Sequence, residues 1–328
     1  MSIRIVEWES LSGAMQGDCL QRPVMRQDNE LRQSVDSIIA EVRERGDAAL
    51  FELTRRLDKA VLTDLRVGPA EFENAERSLS AAQIDAIDLA IRNVRAFHAV
   101  QRPVSVDVET MPGVRCERIS QPIDAVGLYV PAGTAPLPSA AVMLAVPATI
   151  AGCPRKLMCT PPRGDGTADP AVLVAARKAG VDSIFKIGGA QAIAGMAYGT
   201  ASLPRVSKIF GPGNAWVTEA KSQVAGDPAG AAIDMPAGPS EVLVIADENA
   251  NPEFVASDLL SQAEHGTDSQ VVLVSDSSEK VDAVLAEVEK QLETLPRKDI
   301  ANGALANSFC LIVENIDEAL EFSNNYAP

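Results

Sequence analysis

From residue 122 onward, short runs of β-branched residues alternate with alanine-rich segments of helical spacing, and this alternation restricts the possible folds more than any other feature. The runs lie at residues 125–130, 156–160, 183–187, 208–210, 242–246, 271–275 and 309–313. The helical segments lie at residues 139–151, 170–179, 190–198, 215–224, 252–265, 279–292 and 317–325. Strands that alternate with helices are typical of a parallel sheet covered by crossover helices. The sequence therefore predicts an α/β protein.

The residues that precede this alternation have helical spacing. Val35, Ile38 and Val42 recur three and four positions apart among charged residues, as on the buried face of a helix. Gly46 marks a break, and a second helical region is predicted from residue 71 to residue 101. The chain is therefore expected to begin with a helical region.

Two segments rich in proline and glycine, near residues 131–138 and 236–239, interrupt the chain most strongly. Taken as domain borders, they predict two Rossmann-like parallel-sheet domains, one inserted in the other, after the helical N-terminal region. The predicted bounds are an N-terminal arm at 1–25, a first domain at 26–128 and 239–328, and an inserted domain at 129–238.

Composition excludes several classes of partner. The formal net charge is −16 and there is no basic run, which argues against nucleic acid or an anionic membrane as a partner. No apolar stretch approaches the ~20 residues of a membrane span, and the first residues lack the apolar core of a secretory signal. The five cysteines form no CxxC pair, which indicates reduced thiols. We expect a cytoplasmic protein.

Three glycine-containing loops follow predicted strands, at the carboxyl ends where open α/β sheets bind ligands. They are Tyr129-Val-Pro-Ala-Gly-Thr-Ala-Pro-Leu-Pro-Ser139, Ile187-Gly-Gly-Ala-Gln191 and Phe210-Gly-Pro-Gly-Asn214. Glycine allows close backbone approach, and the N–H groups of a following helix can bind phosphate. None contains GxGxxG, so tight turns alone and nucleotide binding both stay open. If a nucleotide binds, Tyr129, Gln191 and Asn214 are the candidates to stack on it or hydrogen bond to it.

Near the end of the predicted helix 252–265, Gln262 and His265 lie three residues apart and so share one helical face. An imidazole and an amide oxygen on one face can both contact a metal ion. A histidine in the last turn of a helix can equally stabilise the helix end, and zinc needs three or four protein ligands. The sequence therefore predicts at most half of a metal site here.

Several long motifs together resemble the histidinol dehydrogenase family. They are Ile123-Asp-Ala-Val-Gly-Leu-Tyr129 with the loop to Ser139, Ile187-Gly-Gly-Ala-Gln-Ala-Ile-Ala194, Gly211-Pro-Gly-Asn214, Ile233-Asp-Met-Pro-Ala-Gly-Pro-Ser-Glu241 and Ser257-Asp-Leu-Leu-Ser-Gln-Ala-Glu-His265. Gly46-Asp-Ala-Ala-Leu50 in the helical part fits as well. The resemblance covers essentially the whole sequence, with small departures at Ala132, Gly195 and Trp216.

The resemblance implies a zinc-dependent enzyme that oxidises L-histidinol to L-histidine through the aldehyde with two NAD+, the last step of histidine biosynthesis. The family's nucleotide contacts fall on Tyr129, Gln191 and Asn214. Its substrate-contacting serine falls on Ser240, and two of its zinc ligands fall on Gln262 and His265, which would also face the substrate. It further implies a domain-swapped homodimer.

The resemblance also implies a difference. The family's catalytic Glu-His pair directly follows a Tyr-Ala-Pro segment like that ending at Pro328, so no catalytic residue is expected within the 328 residues. Two further zinc ligands, an aspartate and a histidine from the partner subunit, are expected beyond the same point. We therefore expect the 328-residue chain to be truncated and to have no useful activity.

Two other functions stay open from the sequence. A cysteine-dependent, aldehyde-dehydrogenase-like oxidoreductase would use Cys153 or Cys159, and alkylation would then abolish activity while chelators would not. A non-catalytic nucleotide-binding fragment would bind a nucleotide without turnover.

Overall fold

The computed structural model describes residues 3–21, 29–132, 136–235 and 240–328, and within these ranges the chain forms eleven strands and thirteen α-helices. The strands are β1 (Arg4–Glu7), β2 (Val106–Met111), β3 (Val114–Arg118), β4 (Ala125–Tyr129), β5 (Arg155–Thr160), β6 (Ser183–Lys186), β7 (Lys208–Phe210), β8 (Ala232–Ile233), β9 (Glu241–Ala246), β10 (Gln270–Ser275) and β11 (Phe309–Ile312). The helices are α1 (Gly13–Leu20), α2 (Asn29–Arg45), α3 (Asp47–Leu53), α4 (Pro69–Ser78), α5 (Ala81–Ala99), α6 (Pro138–Ile150), α7 (Pro170–Ala179), α8 (Gly189–Tyr198), α9 (Ala215–Gly226), α10 (Pro252–Ala263), α11 (Ser278–Leu292), α12 (Lys298–Leu305) and α13 (Ile316–Tyr326). A 3₁₀ turn at Trp8–Ser10 and a π-helical turn at Thr54–Asp58 complete the regular structure of these ranges.

The chain divides into two compact units. One consists of residues 28–237, and the other of residues 1–27 together with residues 238–328. The first unit therefore interrupts the second along the sequence.

The unit of residues 28–237 is built on a five-stranded sheet with the order β6-β5-β4-β7-β8, in which neighbouring strands are parallel. Successive side chains of β4 point to opposite faces, as the period of a strand requires. Ala125 and Tyr129 pack in the core that contains α2, α3, α8 and α9. Val126 and Leu128 pack in the core that contains α5, α6 and α7. Both faces of the sheet are thus covered, which is typical of a parallel sheet.

Several helices of this unit begin where the sequence provides a cap. Ser80 and Gln83 form a reciprocal capping box at the start of α5, so the predicted helical region 71–101 divides into two helices. Asp169 caps α7, whose first residue is Pro170. Local sequence therefore fixes the helix starts, while the apolar faces fix where the helices pack.

The strands β2 and β3 form an antiparallel hairpin apart from both larger sheets, and all their residues are exposed. Val108 pairs directly with Cys116 on one face. On the other face, Arg115 forms ion pairs with Asp107 and Glu117. The hairpin thus has one apolar and one charged face, both open to solvent in this chain.

The other unit contains a four-stranded parallel sheet with the order β1-β11-β10-β9. Val271 and Leu273 of β10 pack in the core formed with α10, α11 and α12. Val272 and Val274 point to the opposite face, where Phe322 of α13 and Cys19 of α1 are buried. This second sheet therefore also has helices on both faces.

The predicted fold class is confirmed, since both larger sheets are parallel and one unit is inserted in the other. Residues 28–128, which the predicted domain bounds join to 239–328, pack instead with residues 129–237. The reason is that Val35 of α2 and Leu50 of α3 share one apolar core with Ile193 of α8. The predicted borders at 25/26 and at 238/239 lie outside the described residues.

The predicted helix 252–265 ends earlier, at Ala263, so His265 lies beyond the helix and not in its last turn. Among the residues that the structure describes, no helix is long and apolar enough to cross a membrane.

Candidate active site

The three predicted loops leave the same edge of the five-stranded sheet. They follow β4, β6 and β7, and because neighbouring strands are parallel, the carboxyl ends of these strands lie along one edge. Residues 133–135 of the first loop are outside the described part of the chain. This edge is where an open α/β sheet is expected to bind a ligand.

Tyr129 is the last residue of β4 and only 3% exposed. Its hydroxyl oxygen accepts a hydrogen bond from the backbone N–H of Gly189, at 3.0 Å. Burial raises the pKa of the phenol above its usual range, so the hydroxyl stays protonated. Tyr129 therefore ties the end of β4 to the first residue of α8, and its ring belongs to the core.

Gln191 lies in the first turn of α8 and is 1% exposed. Its Nε2 donates to Oδ2 of Asp58 at 3.2 Å. Its Oε1 is buried, and no atom of the described residues donates a hydrogen bond to it. A buried acceptor without a donor costs about 1–3 kcal/mol, so this oxygen is a site for a ligand donor.

Asp58 lies at the end of the π-helical turn, next to Gln191. Burial raises the pKa of its carboxyl to about 6, although the hydrogen bond from Gln191 opposes this effect. The carboxylate is acceptor-only when ionised, which sets the amide of Gln191 with its nitrogen toward Asp58. Sequence analysis did not select Asp58, because an aspartate in a charged helical segment has no distinguishing pattern.

Asn214 is exposed and is the N-cap of α9, where its side chain accepts from the N–H of Val217 at 3.2 Å. The preceding turn is tight: Gly211 has a φ of 130°, and a Cβ there would lie 2.1 Å from the carbonyl oxygen of Tyr129. Only glycine allows this approach of two backbones. Asn214 therefore stands at a helix start brought close to the end of β4.

A buried ion pair holds the same turn. Lys221 of α9 has a side chain only 5% exposed and donates to the carboxylate of Asp234 and to the carbonyl oxygen of Gly211. Asp234 in turn accepts from the N–H of Gly211 at 2.9 Å. Burial raises the pKa of Asp234, but the hydrogen bonds from Lys221, Gly211 and Met235 outweigh it, and the pKa is lowered overall. The turn before Asn214 is thus fixed on both its N–H and its carbonyl side.

The remaining predicted site residues belong to the other unit. Ser240 is exposed and precedes β9; its carbonyl oxygen accepts from the N–H of Gln270 at 3.2 Å. Residues 236–239 of the preceding predicted turn lie outside the described residues. The hydroxyl of Ser240 thus sits at the start of an ordered strand.

Gln262 is the penultimate residue of α10, and its carbonyl oxygen accepts from the N–H of His265 at 3.1 Å. The side chain of Gln262 is half-buried, and its Nε2 is without a hydrogen-bond partner in the described ranges. His265 is exposed. The two residues lie three positions apart around the end of α10, and an amide oxygen and an imidazole nitrogen are both groups that can ligate a metal ion.

The described residues contain no group of three or more His, Cys, Asp or Glu side chains placed to hold a metal ion. The other histidine, His98, is exposed near the end of α5 and its Nδ1 lies 2.7 Å from Oε1 of Gln101. Cys159 is fully buried, and burial raises the pKa of its thiol above the usual range, which opposes a thiolate nucleophile. Cys153, the other candidate nucleophile, is 6% exposed and packs in the core that contains α5, α6 and α7, so both candidate thiols are buried.

Comparison with known proteins decides the family. The family model described as histidinol dehydrogenase matches residues 20–328 of this chain. The chain belongs to the histidinol dehydrogenase family.

Individual relatives agree with this assignment. Histidinol dehydrogenase from Xanthomonas euvesicatoria is 56% identical over 326 residues, which are 99% of this chain and 75% of the relative. The enzyme of that name from Vibrio parahaemolyticus is 51% identical over the same coverage. The crystal structure of histidinol dehydrogenase from Elizabethkingia anophelis matches with a TM-score of 0.93 and 44% identity, over 99% of this chain and 74% of that one. The chain thus spans about three quarters of the length of these relatives.

Proposed function

We propose that the chain is a zinc- and NAD-dependent oxidoreductase that converts L-histidinol to L-histidine through the aldehyde. The observation that supports this most is the relationship to proteins named histidinol dehydrogenase over 99% of the chain. Such an oxidation removes four electrons in two steps. The carbinol carbon would give one hydride to NAD+ while its hydroxyl releases a proton to solvent. Water would add to the resulting aldehyde, and the hydrated carbon would give a second hydride to a second NAD+, with the hydroxyl and carboxylic acid protons released to solvent.

In the proposal, Tyr129, Gln191 and Asn214 form the nucleotide-binding edge. The free Oε1 of Gln191 is a hydrogen-bond acceptor for a hydroxyl or amine of the nucleotide. Asn214 is exposed at the start of α9, so its amide and the neighbouring N–H groups face ligands at that end of the helix. With a net charge of −16, the chain can hold an anionic pyrophosphate only through such local donors.

Gln262 and His265 would hold zinc, and Ser240 would bind the substrate. When bound, zinc supplies a fixed positive charge that orients the imidazole and amine of the substrate. The role of the three side chains is positioning: they would hold the carbinol carbon of the substrate in one fixed orientation. The buried Nε2 of Gln262, whose position the amide oxygen takes when the amide is turned over, and the exposed imidazole of His265 support this assignment.

A polypeptide of these 328 residues is proposed to bind nucleotide without efficient turnover. It contains two histidines, of which His265 is assigned to the metal and His98 is bonded to Gln101 at the end of α5. Neither is left to serve as a general base, and general acid–base catalysis contributes roughly 10²–10⁴-fold. The homodimer and the cytoplasmic location that the sequence led us to expect are likewise proposals, the first of which light scattering on the purified chain would test.

The test combines three measurements on the purified 328-residue polypeptide. Calorimetry is expected to show NAD+ binding, a zinc titration is expected to show weak zinc binding that His265→Ala weakens further, and NADH formation from L-histidinol is expected to be at least roughly 10²-fold below that of a full-length relative. Absence of NAD+ binding would contradict the nucleotide assignment. Turnover equal to the relative's would contradict the proposed inactivity. Turnover lost on alkylation but insensitive to chelators would favour the cysteine mechanism.

A further inference from the structure

We propose that Asp58 is a positioning residue for the nucleotide, because its carboxylate fixes the amide of Gln191 with Oε1 presented as an acceptor to the ligand. The inference rests on the proposed function, since it takes NAD+ as the ligand of Gln191. It adds a residue from the helical N-terminal region to the nucleotide-binding edge.

The hydrogen-bond pattern carries the argument. An ionised carboxylate can only accept, so Asp58 Oδ2 selects the amide orientation in which Gln191 Nε2 faces it, at 3.2 Å. The amide oxygen is then turned away from Asp58. There it is buried and unpartnered among the residues that the structure describes. A buried acceptor held in one orientation and left open is suited to a donor that arrives with a ligand.

The backbone around Asp58 is built to bring the carboxylate to this place. Asp58 ends a π-helical turn, and Lys59 follows with a φ of 59°, in the left-handed region that side chains other than glycine rarely occupy. The approach to the sheet edge is close: a Cβ on Gly188 would lie 2.9 Å from Asp58 Oδ1 and 2.8 Å from Cγ of Pro161. The carboxylate therefore fits only beside a glycine.

Ionised Asp58 destabilises the folded chain, because burial of its charge is only partly compensated by hydrogen bonding. Burial disfavours the ionised form and raises the pKa of the carboxyl to about 6, and the one stabilising contribution is the hydrogen bond from Gln191. Packing alone would be served as well by a neutral side chain of the same shape. The carboxylate of Asp58 holds the Gln191 amide in one orientation. A neutral side chain such as asparagine would accept either orientation of that amide.

The other neighbours of Gln191 agree with this assignment. Tyr129 holds the N–H of Gly189 through its hydroxyl, so the first turn of α8 that carries Gln191 is fixed at its start. A Cβ on Gly189 would lie 2.8 Å from Gln191 Oε1, so this side of the oxygen is also open only because of a glycine. Asp58 thus fixes the side chain of Gln191, and Tyr129 fixes the backbone at the start of α8.

A double-mutant cycle tests the proposal, with NAD+ dissociation constants measured by calorimetry on the 328-residue chain. Asp58→Asn keeps the shape but lets either end of the Gln191 amide face it. Asp58→Asn and Gln191→Ala are each expected to weaken NAD+ binding roughly tenfold, and the double variant is expected to be no weaker than Gln191→Ala alone. Asp88→Asn, which removes an exposed aspartate paired with Lys178 in the same unit, is the matched control and is expected to change nothing.

Different outcomes would contradict the proposed function and the positioning role of Asp58. If the unchanged chain does not bind NAD+, the proposed function fails. If it binds and Gln191→Ala weakens binding while Asp58→Asn does not, the positioning role of Asp58 is overturned. The proposal would also be overturned if the double variant bound NAD+ roughly a hundredfold more weakly than the unchanged chain. The two side chains would then act independently. Should Asp58→Asn fail to fold, Gly188→Ala displaces the carboxylate without removing it and must give the same loss.

Discussion

The proposed site residues fall into two halves, one in each unit, that differ in how far the chain itself fixes their side chains. At the edge of the five-stranded sheet, Tyr129, Gln191 and the turn before Asn214 are held by buried hydrogen bonds and an ion pair. In the other unit, Ser240 and His265 are exposed, and each is held by a backbone hydrogen bond. The difference teaches that the proposed nucleotide-binding half is preorganised, whereas we expect the proposed zinc-binding half to take its final geometry from its ligand.

The largest effect on stability is expected from Gly211→Ala, which adds a side chain where two backbone segments of the preorganised half come closest. The new Cβ would meet the carbonyl oxygen of Tyr129 at 2.1 Å, and the φ of 130° is strained for alanine. We expect a loss of about 3–5 kcal/mol in the free energy of unfolding, measured by urea denaturation.

The matched control is Gly226→Ala in the last turn of α9, where a Cβ would meet nothing within 4 Å. It is expected to be neutral or to stabilise by up to about 1 kcal/mol. Equal losses in the two variants would show that the sheet edge is not specially constrained.

A somewhat smaller loss is expected from Lys221→Met, which leaves Asp234 without its cation. Removing one partner of a buried pair costs about 3–5 kcal/mol, and because Asp234 is partly exposed we expect the lower end, about 3 kcal/mol. The double variant Lys221→Met with Asp234→Asn should recover most of this loss in the same denaturation experiment. A double variant as unstable as the single one would mean that packing, and not charge, holds the turn.

A pH-dependent effect of about 1 kcal/mol is expected from Asp58, reduced from the full shift because the side chain is partly exposed. Its pKa is raised by burial to about 6 in the folded chain, above the value of about 3.9 in an unfolded one. The protonated form therefore favours folding: this contribution is complete below about pH 3.9 and is lost as the pH rises through 6.

The variant Asp58→Asn isolates this contribution. Relative to the unchanged chain, its free energy of unfolding should improve between pH 4 and pH 7 by about 1 kcal/mol. A difference between the two chains that does not depend on pH would show that the carboxyl titrates normally.

The smallest effect on folding is expected in the other half, from Gln262→Ala and His265→Ala. Gln262 is the penultimate residue of α10 and His265 is exposed just beyond the helix, so each substitution should change the free energy of unfolding by less than about 0.5 kcal/mol. Zinc affinity, measured by competition with a chromogenic chelator, should fall by more than roughly tenfold. His98→Gln serves as the control histidine and should affect neither quantity. A large loss of stability without a change in zinc affinity would reverse the contrast between the halves.

Much of the fold was predictable because its signal is local. The strands β4 to β7 and β9 to β11 are runs of β-branched and apolar residues, and the helices between them have clear apolar faces. The hairpin formed by β2 and β3 was missed although Val106, Val108 and Glu109 show the expected alternation near the turn at Gly113. Residues 106–118 follow the predicted helical region 71–101 and are assigned to no predicted element, since exposed strands lack the apolar runs that mark buried ones.

The site was predictable only in part, because its hydrogen bonds join distant segments. Tyr129, Gln191 and Asn214 were selected from loops at strand ends, and the structure places all three along one sheet edge. Asp58 lies far from them in sequence, and nothing in its neighbours distinguishes it from a surface aspartate. The pairing of Lys221 with Asp234 was likewise invisible, since only the folded turn brings the two side chains together.

The insertion of one unit into the other has a consequence for how the protein is made. On a ribosome, β1 emerges first, yet its neighbour in the sheet is β11, where Arg4 aligns with Phe309. Every strand of the five-stranded sheet is synthesised in between, so the inserted unit can fold as the chain leaves the exit tunnel, while β1 waits with an unpaired edge. A pause in translation once residue 237 has left the exit tunnel would therefore leave a folded inserted unit attached to the still unpaired β1, the state in which a chaperone has most to protect.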